Sequence, residues 1–468
     1  MEMMNNVSDE KDSLSIRLFA NKYLIYGLVL IMLVTPLFLT SNLKFEDVYF
    51  FDRTSSILGS ENDQLSFSGR EFSYASGGIY VTYFLKNIIS KDLVYSYLPI
   101  ILGLISLLLA RDIFSKLEKN KRINIIFTYL LIFSTPFIYT FTNYVNESFT
   151  LFLLLLGIFF YLRSYKSVSV VVLWFMSFFG FFPGLVALLT MGLLSYKDKI
   201  KYLYYFLTLQ IIYYFYSIFS RGFPSILNIR GEILSNYLLD FGSAYGISFF
   251  LIIVAIFGLR TIWKQKYTYY KLYLALISLL VLSYFDSHLM IFLNLILVVL
   301  AAYGFNSFIK MKWEGKQIKV LTILILAIGI LVSTFTYLSS VDNFNPNESL
   351  VEGLIDINRD SVVFSHYSNG VFINTISKNK NVLDSHFSYV DNVNRIYDDA
   401  NKIFVSRRVG DVEELLVKYD IDYILITQWM KDNIWVSDED GLLFVLKHSQ
   451  NINLEFSGDG VDIWRFKK

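Results

Sequence analysis

The stretch SNLKFEDVYFFDR, residues 41–53, directly follows a long apolar run at residues 22–40. That run is long enough to cross a bilayer as a helix, and no small-residue cleavage site follows it, so it predicts a retained transmembrane helix. Glu46 and Asp47 then lie where the helix leaves the membrane, with Arg53 shortly after them. Charge at this depth costs free energy, so the acidic pair is the first candidate for a functional site. The pair is also compatible with a plain, solvated helix end.

The composition predicts a polytopic membrane protein. Of the 468 residues, 54% are hydrophobic and 17% are charged, and the mean hydropathy is +0.48. An ordinary soluble protein has about a quarter of its residues charged. The chain has no cysteine, which excludes a disulfide framework, a thiolate metal site and a cysteine nucleophile. A net charge of +1 gives no indication of a nucleic-acid partner.

Nine further apolar segments follow the first. They lie at residues 92–114, 123–141, 147–162, 168–195, 202–219, 242–263, 269–285, 289–309 and 318–338. Residues 168–195 are too many for one span, and Gly180, Pro183 and Gly184 interrupt them, which predicts a hairpin of two short helices. Counting the hairpin twice, the sequence predicts about eleven transmembrane helices.

The distribution of positive charge predicts the orientation. With residues 1–21 as a cytoplasmic tail, the predicted inner loops hold 21 Lys and Arg residues before residue 340, and the outer loops hold 7. This asymmetry is the one that sets topology in membranes. We therefore expect a transmembrane domain at residues 22–340, whose first outer loop is residues 41–90, and an extracytoplasmic domain at residues 341–468. Glu46, Asp47, Glu147, Asp286 and His288 then all belong to the outer face, and we expect them to share one pocket.

Two outer segments and the carboxyl-terminal region have patterns of their own. Residues 79–89 have helical apolar spacing, which predicts a helix along the membrane interface, and the amphipathic loop 220–241 is a candidate cover for a cavity. After residue 341 the sequence predicts a small α/β domain, stabilising or facing the acceptor. Its strands are expected at 361–365, 381–384, 422–427, 453–456 and 461–466, and its helices at 392–404 and 411–420.

These positions together resemble the GT-C superfamily of membrane glycosyltransferases. The likeness consists of the acidic residue after the first helix, the aromatic run beside it, the broken hairpin, the late turn Asp286-Ser-His288, and the helix with Ala301-Ala-Tyr-Gly304. It covers residues 20–340 in organisation. The WWDxG-type acceptor signature of oligosaccharyltransferases does not occur in the carboxyl-terminal domain, which argues against transfer of whole glycans to Asn.

The resemblance implies a hexosyl- or pentosyltransferase that uses a polyprenyl-phosphate-linked sugar. Its acceptor would be a glycan, lipid or protein on the extracytoplasmic face of the cell membrane. Asp47 matches the general base and Glu46 would assist it, while Glu147 and Asp286 would lie near the acceptor or a metal. The donor phosphate would be bound by the outer cationic side chains His288, Arg53, Arg70, Arg221 and Arg230. A divalent cation, Mg²⁺ or Mn²⁺, held by Asp47 and Glu147, is compatible with this site.

Other interpretations remain open for the sequence. Asp286 and His288 are compatible with simple pairing at a helix end, Glu147 with a helix-dipole charge, and the arginines with lipid-headgroup anchors. A transporter would place polar residues at helix centres, which here are nearly free of charge. An O-antigen-type polymerase or ligase would need a larger late outer loop than residues 220–241. A non-catalytic membrane assembly protein would tolerate Asp47→Asn, and an enzyme would not.

Overall fold

The computed structural model describes residues 21–39, 46–58, 62–63, 65, 70–71, 77–195, 200–221, 238, 246–340, 346–386 and 392–468. The chain forms two compact units. The helical unit comprises Met1–Leu43, Ala75–Tyr216 and Arg230–Asp342, and the carboxyl-terminal unit comprises Lys44–Tyr74, Ser217–Ile229 and Asn343–Lys468. Residues 44–74 of the first predicted outer loop thus cluster with the carboxyl-terminal residues. The predicted tail 1–20 and most of the loop 220–241 lie outside the described residues.

Apolar helices lie at every segment that the sequence predicts to be apolar and membrane-spanning. A helix pairs backbone N–H and C=O groups within its own segment, which an apolar segment in a bilayer requires. Their bounds are Lys22–Leu39, Lys91–Leu117, Lys121–Ile132, Thr135–Thr142, Asn146–Leu162, Lys166–Phe175, Phe181–Ser195, Ile200–Arg221, Phe249–Trp263, Tyr270–Phe285, Met290–Lys310 and Lys316–Ser340. The expected helix at residues 79–89 is found at Gly77–Lys86. Its orientation along an interface stays a prediction.

Length and composition identify fewer full spans than the sequence pattern does. Within the described chain, Lys91–Leu117, Ser287–Lys310 and Lys316–Ser339 are long and apolar enough to cross a membrane. A bent pair, Lys121–Ile132 with Thr135–Thr142, makes a fourth candidate. The described chain also contains shorter apolar helices of 10–17 residues, among them Asn146–Leu162 and Phe249–Trp263. The number eleven therefore stays a prediction.

The structure breaks the apolar segment at residues 123–141 into two helices, and their count as one span stays a prediction. The two halves meet at Phe133 and Ser134 with a bend of 55°. Pro136 stands in the first turn of the second half, where its missing N–H costs nothing, and it prevents the first helix from continuing. Thr334 donates to the Phe133 carbonyl at 2.6 Å, and Asn294 donates to the Ser134 hydroxyl at 2.6 Å. A neighbouring helix thus satisfies a backbone carbonyl at the break, and a second helix holds the Ser134 side chain.

The predicted break inside residues 168–195 is present. The chain runs as a helix over Lys166–Phe175, tightens into a 3₁₀ turn over Met176–Phe179, and resumes as a helix over Phe181–Ser195. Pro183 lies in the first turn of the second helix, where proline is tolerated. The segment therefore contains two short helices, as its Gly and Pro residues indicate.

Close helix packing in the helical unit depends on small residues. Phe249–Trp263 contacts Met290–Lys310 extensively, and Gly258 and Gly304 lie at the contact. A Cβ added at Gly258 would lie 1.8 Å from the Leu300 carbonyl oxygen, so the two backbones approach where only hydrogen fits. Small residues at such a position allow the van der Waals contact that joins apolar helices in lipid.

The carboxyl-terminal unit contains a five-stranded mixed sheet. Two residue pairs of the first loop form a small ladder, β1 (Asn62–Asp63) with β2 (Arg70–Glu71). The main strands are β3 (Val362–Phe364), β4 (Lys380–Asn381), β5 (Tyr423–Thr427), β6 (Ile452–Gly458) and β7 (Val461–Phe466), in the order β4-β3-β5-β7-β6. β4, β3 and β5 are parallel, β7 pairs antiparallel with β5, and β6 pairs antiparallel with β7. All five expected strands are present; the last has the expected ends, and the ends of the others differ by up to three residues.

Successive strand residues point to opposite faces of the sheet, and apolar residues occur on both faces. Helices therefore cover both faces. Val363 and Leu425 pack with Leu354 of the helix Glu348–Asp356. Phe364 and Ile424 belong to the second core, on the opposite face. That core is built with the helices Val393–Val405, Val409–Lys418, Gln428–Ile434 and Gly441–His448. The two expected helices are confirmed, and Glu348–Asp356, Gln428–Ile434 and Gly441–His448 are additional.

Candidate active site

Glu46 and Asp47 form the first turn of a helix that the sequence pattern does not predict. This first-loop helix spans Glu46–Ser56, and its acidic start suits the positive end of the helix dipole. Tyr49 packs edge-on against Phe372, with ring centroids 5.4 Å apart, and so joins the helix to the later residues of the carboxyl-terminal unit. The acidic pair is therefore held by tertiary contacts and is not a disordered loop end.

Both carboxylates contact one short segment of the carboxyl-terminal unit. The Ser385 hydroxyl donates a short hydrogen bond to Glu46 Oε1. His386 Nε2 lies 3.9 Å from Asp47 Oδ1, with side-chain exposures of 23% and 28%. The Asp47 carboxylate is thus partly open to solvent, as a group that must meet a substrate needs to be.

His386 is a candidate that the sequence analysis missed. Its ring stacks on Phe50 with centroids 3.5 Å apart at 15°, and its backbone N–H donates to Asp384 Oδ1 at 2.9 Å. Gly370 permits this arrangement, since a Cβ there would lie 2.3 Å from the Leu383 carbonyl oxygen. The signal in the sequence was the tripeptide Asp384-Ser-His386, which repeats the Asp286-Ser-His288 turn.

Arg53 differs from its expected role as a ligand of the donor phosphate. Its Nη1 and Nη2 donate to Asp63 Oδ1 and Oδ2 at 2.7 and 2.9 Å. The two side chains are only 5% and 1% exposed. In this buried, bidentate pair the carboxylate occupies the N–H groups of the guanidinium that would otherwise bind a phosphate. The geometry favours a structural role for Arg53, which joins the first-loop helix to β1.

The other predicted arginines are only partly described. Arg70 lies in β2 opposite Asp63, and Arg221 is the last residue of the helix Ile200–Arg221. The side chains of both lie outside the described part of the chain, as does the whole of Arg230. Their roles stay predictions.

A second polar group lies in the helical unit. His288 Nδ1 is 3.1 Å from Glu147 Oε1, and the imidazole is 53% exposed while the carboxylate is 16% exposed. Asp286 Oδ1 accepts from the His288 backbone N–H at 3.0 Å and so caps the turn Ser287–Leu289. Burial raises the pKa of Asp286, and the neighbouring Glu147 raises it further, against the lowering effect of His288. The side chain of His288 pairs with Glu147, whereas Asp286 contacts its backbone.

The predicted residues therefore fall into two groups. Glu46, Asp47 and the missed His386 belong to the carboxyl-terminal unit, and Glu147 and His288 belong to the helical unit. Each group has a histidine beside a carboxylate. That the two groups share one pocket stays a prediction.

The residues of each group do not by themselves form a metal site. Within the described ranges, no group of three or more His, Asp or Glu side chains has the spacing to hold a metal ion. Asp47 with His386, and Glu147 with His288, each supply two donors, and a protein site for a divalent cation usually supplies more.

Solved structures show a likeness to this chain. No protein-family model matches the sequence, and no curated protein matches it. The archaeal oligosaccharyltransferase AglB from Archaeoglobus fulgidus, solved with an inhibitory peptide and a dolichol-phosphate, is similar over 88% of this chain and 70% of its own, with a TM-score of 0.55 and 11% identity. ArnT from Cupriavidus metallidurans, bound to undecaprenyl phosphate, is similar over 94% of this chain and 97% of its own, with a TM-score of 0.54 and 10% identity.

A third likeness is to the arabinofuranosyltransferase AftD from Mycobacteria. It covers 96% of this chain and 42% of that one, with a TM-score of 0.50 and 12% identity. All three neighbours have one fold in common. At these identities the likeness establishes the fold and leaves the reaction to be argued from the site.

Proposed function

Because the chain has the fold of the GT-C glycosyltransferases, we propose that it is a membrane enzyme that transfers a sugar from a polyprenyl-phosphate donor. The acceptor is a hydroxyl of a glycan, lipid or protein, and Asp47 is the general base. The observation that carries the proposal is the Asp47 carboxylate, partly exposed in the first turn of a helix anchored to folded structure. Neighbours of the same fold bind dolichol-phosphate and undecaprenyl phosphate, which supports a lipid-linked donor.

The transfer needs one base and one set of phosphate ligands. The acceptor oxygen attacks the anomeric carbon, the bond from that carbon to the phosphate oxygen breaks, and the phosphate leaves with the bonding electrons. Asp47 takes the proton of the acceptor hydroxyl as the new bond forms. The Glu46 carboxylate, fixed by the Ser385 hydroxyl, supports Asp47 from the adjacent position.

The leaving phosphate keeps its negative charge, so hydrogen-bond donors stabilise it and no strong acid is required. In the proposal His288 supplies one such donor. Glu147 lies beside Nδ1 of His288 and orients the ring, and in the proposal the imidazole donates to a phosphate oxygen. Arg70, Arg221 and Arg230 complete the phosphate ligands, whereas Arg53 is reassigned to its pair with Asp63.

The proposal retains the predicted membrane arrangement. About eleven helices cross the cell membrane, the amino terminus is cytoplasmic, and the carboxyl-terminal unit is extracytoplasmic. The excess of Lys and Arg in the predicted inner loops supports this orientation. Both histidine–carboxylate pairs then act on the extracytoplasmic face, where a lipid-linked sugar would be used.

The experiment is a transfer assay on membranes that contain the full chain. Membranes with the wild type, and membranes without the protein, receive a panel of radiolabelled polyprenyl-phosphate hexoses and pentoses. The wild type is expected to move label from the lipid fraction to an acceptor fraction with at least one donor. An assembly protein or transporter would leave the sugar–phosphate bond intact with every donor, and that result would contradict the proposal.

A further inference from the structure

Resting on the proposed function, we propose that His386 is a positioning residue for the base, so that the carboxyl-terminal unit completes the active site of the first loop. Asp47 and Phe50 are three residues apart on one helix and so lie on the same face. His386 stacks on Phe50 and brings Nε2 to 3.9 Å from Asp47 Oδ1. One ring therefore contacts both the apolar and the charged part of that face.

The imidazole is held from several sides. Phe50 covers one ring face, and the turn closed by Asp384 fixes the backbone of His386. The preceding residue, Ser385, is bound to Glu46. Asp384 is itself buried, with 3% exposure, so the turn has a firm base. A side chain locked by packing and hydrogen bonds is the kind that can fix the rotamer of a neighbour.

The distance suits a contact that tightens when substrate binds. At 3.9 Å the two atoms are within ion-pair range and longer than a hydrogen bond, and such contacts commonly shorten in the complex. A ring nitrogen held beside Oδ1 of Asp47 limits the rotation of the carboxylate. His386 thereby restricts the carboxylate to one orientation and touches no reacting atom itself.

In this arrangement the carboxyl-terminal unit supplies the residue that orients the base. Asp384-Ser-His386 follows β4, the edge strand that pairs in parallel with β3. The sheet thus presents the tripeptide to the first-loop helix. Loss of the positioning contact should lower turnover and leave acceptor and donor affinity unchanged, because the ring contacts the base and neither substrate.

Two substitutions separate the contribution of the His386 ring nitrogen from that of the ring stacking on Phe50. His386→Phe keeps an aromatic ring against Phe50 and removes the donor, while His386→Gln keeps an amide nitrogen and loses the stack. His386→Phe is expected to lower kcat at least tenfold with KM unchanged, and His386→Gln is expected to recover a large part of that loss. His448→Phe is the matched control, since His448 stacks on Phe444 with centroids 4.0 Å apart and bonds the carbonyl of its own helix.

The outcomes distinguish this inference from the proposed function. Wild-type kcat in His386→Phe, or equal losses in both variants with lowered melting temperatures, would overturn the positioning role while transfer itself stands. Absence of transfer by the wild type would instead remove the proposed function. The contact is then tested by melting temperatures of Asp47→Asn, His386→Phe and the double variant. Non-additive shifts support the contact, and strictly additive shifts overturn it.

Discussion

The buried pair of Arg53 and Asp63 is expected to stabilise the carboxyl-terminal unit and not to bind the donor phosphate. The substitution Arg53→Met keeps the length of the side chain and removes its charge. Asp63, only 1% exposed, then keeps a carboxylate without its bidentate partner. Breaking a buried pair from one side costs about 3–5 kcal/mol, since the remaining charge stays desolvated. For a unit of this size each kcal/mol lowers the melting temperature by about 2–4 °C, so a decrease of about 6–20 °C is expected.

The assay is thermal unfolding of the full chain in detergent, with the double variant Arg53→Met/Asp63→Leu as the partner measurement. Replacing both charges with apolar side chains of similar volume removes the unpaired carboxylate, and such replacements are often neutral or stabilising. The double variant is therefore expected to melt near the wild type. It is also expected to transfer sugar at close to the wild-type rate.

Two results would refute this reasoning. A melting temperature of Arg53→Met within about 2 °C of the wild type would show that the pair contributes little to folding. A double variant that folds normally and needs a much higher donor concentration would restore Arg53 as a phosphate ligand, as the sequence pattern suggests.

Two further predictions concern the helical unit and the acid stability of the carboxyl-terminal unit. Glu147→Gln should weaken the contact that orients His288 and raise the donor KM about ten- to a hundredfold with little change in kcat. The control is Glu314→Gln at an exposed position. An unchanged donor KM in Glu147→Gln would contradict the pairing of Glu147 with His288. Burial lowers the pKa of His366 to about 4. Below about pH 6.5 the unfolded chain therefore takes up a proton that the folded chain does not. The folding stability decreases for this reason as the pH is lowered towards 4. His366→Gln should flatten this decrease in melting temperature between about pH 7 and 4, and an unchanged slope would contradict the assignment.

The sequence predicts the helices well because apolar length is a local property. Every predicted apolar segment contains a helix, and the Gly180 to Pro183 break is visible as residue type. The break at Phe133 is different. Pro136 was a sign of it, but the hydroxyl of Thr334 and the amide of Asn294 that stabilise it come from distant segments. Hydrogen bonds across about 160–200 residues leave no local pattern.

The site shows the same limit. Asp47 and Glu46 stand out because charge beside an apolar run is unusual, and that signal needs no partner. His386 does not stand out, because its contacts with Asp47 and Phe50 join residues more than 330 positions apart. The pair of Arg53 with Asp63 was not predicted for the same reason, since a lone cation after an apolar helix gives no sign of a carboxylate ten residues later. Contacts made by folding decide these roles, and residue spacing does not encode them.

In the proposed reaction, Asp47 removes the proton of the acceptor while the sugar leaves the lipid phosphate. A single-turnover experiment isolates this step: labelled donor is first bound to equal amounts of the wild type and Asp47→Asn, and acceptor is then added. Asp47→Asn is expected to retain as much donor as the wild type and to transfer its sugar at least about a hundredfold more slowly. Equal rates of transfer from equal amounts of bound donor would contradict it.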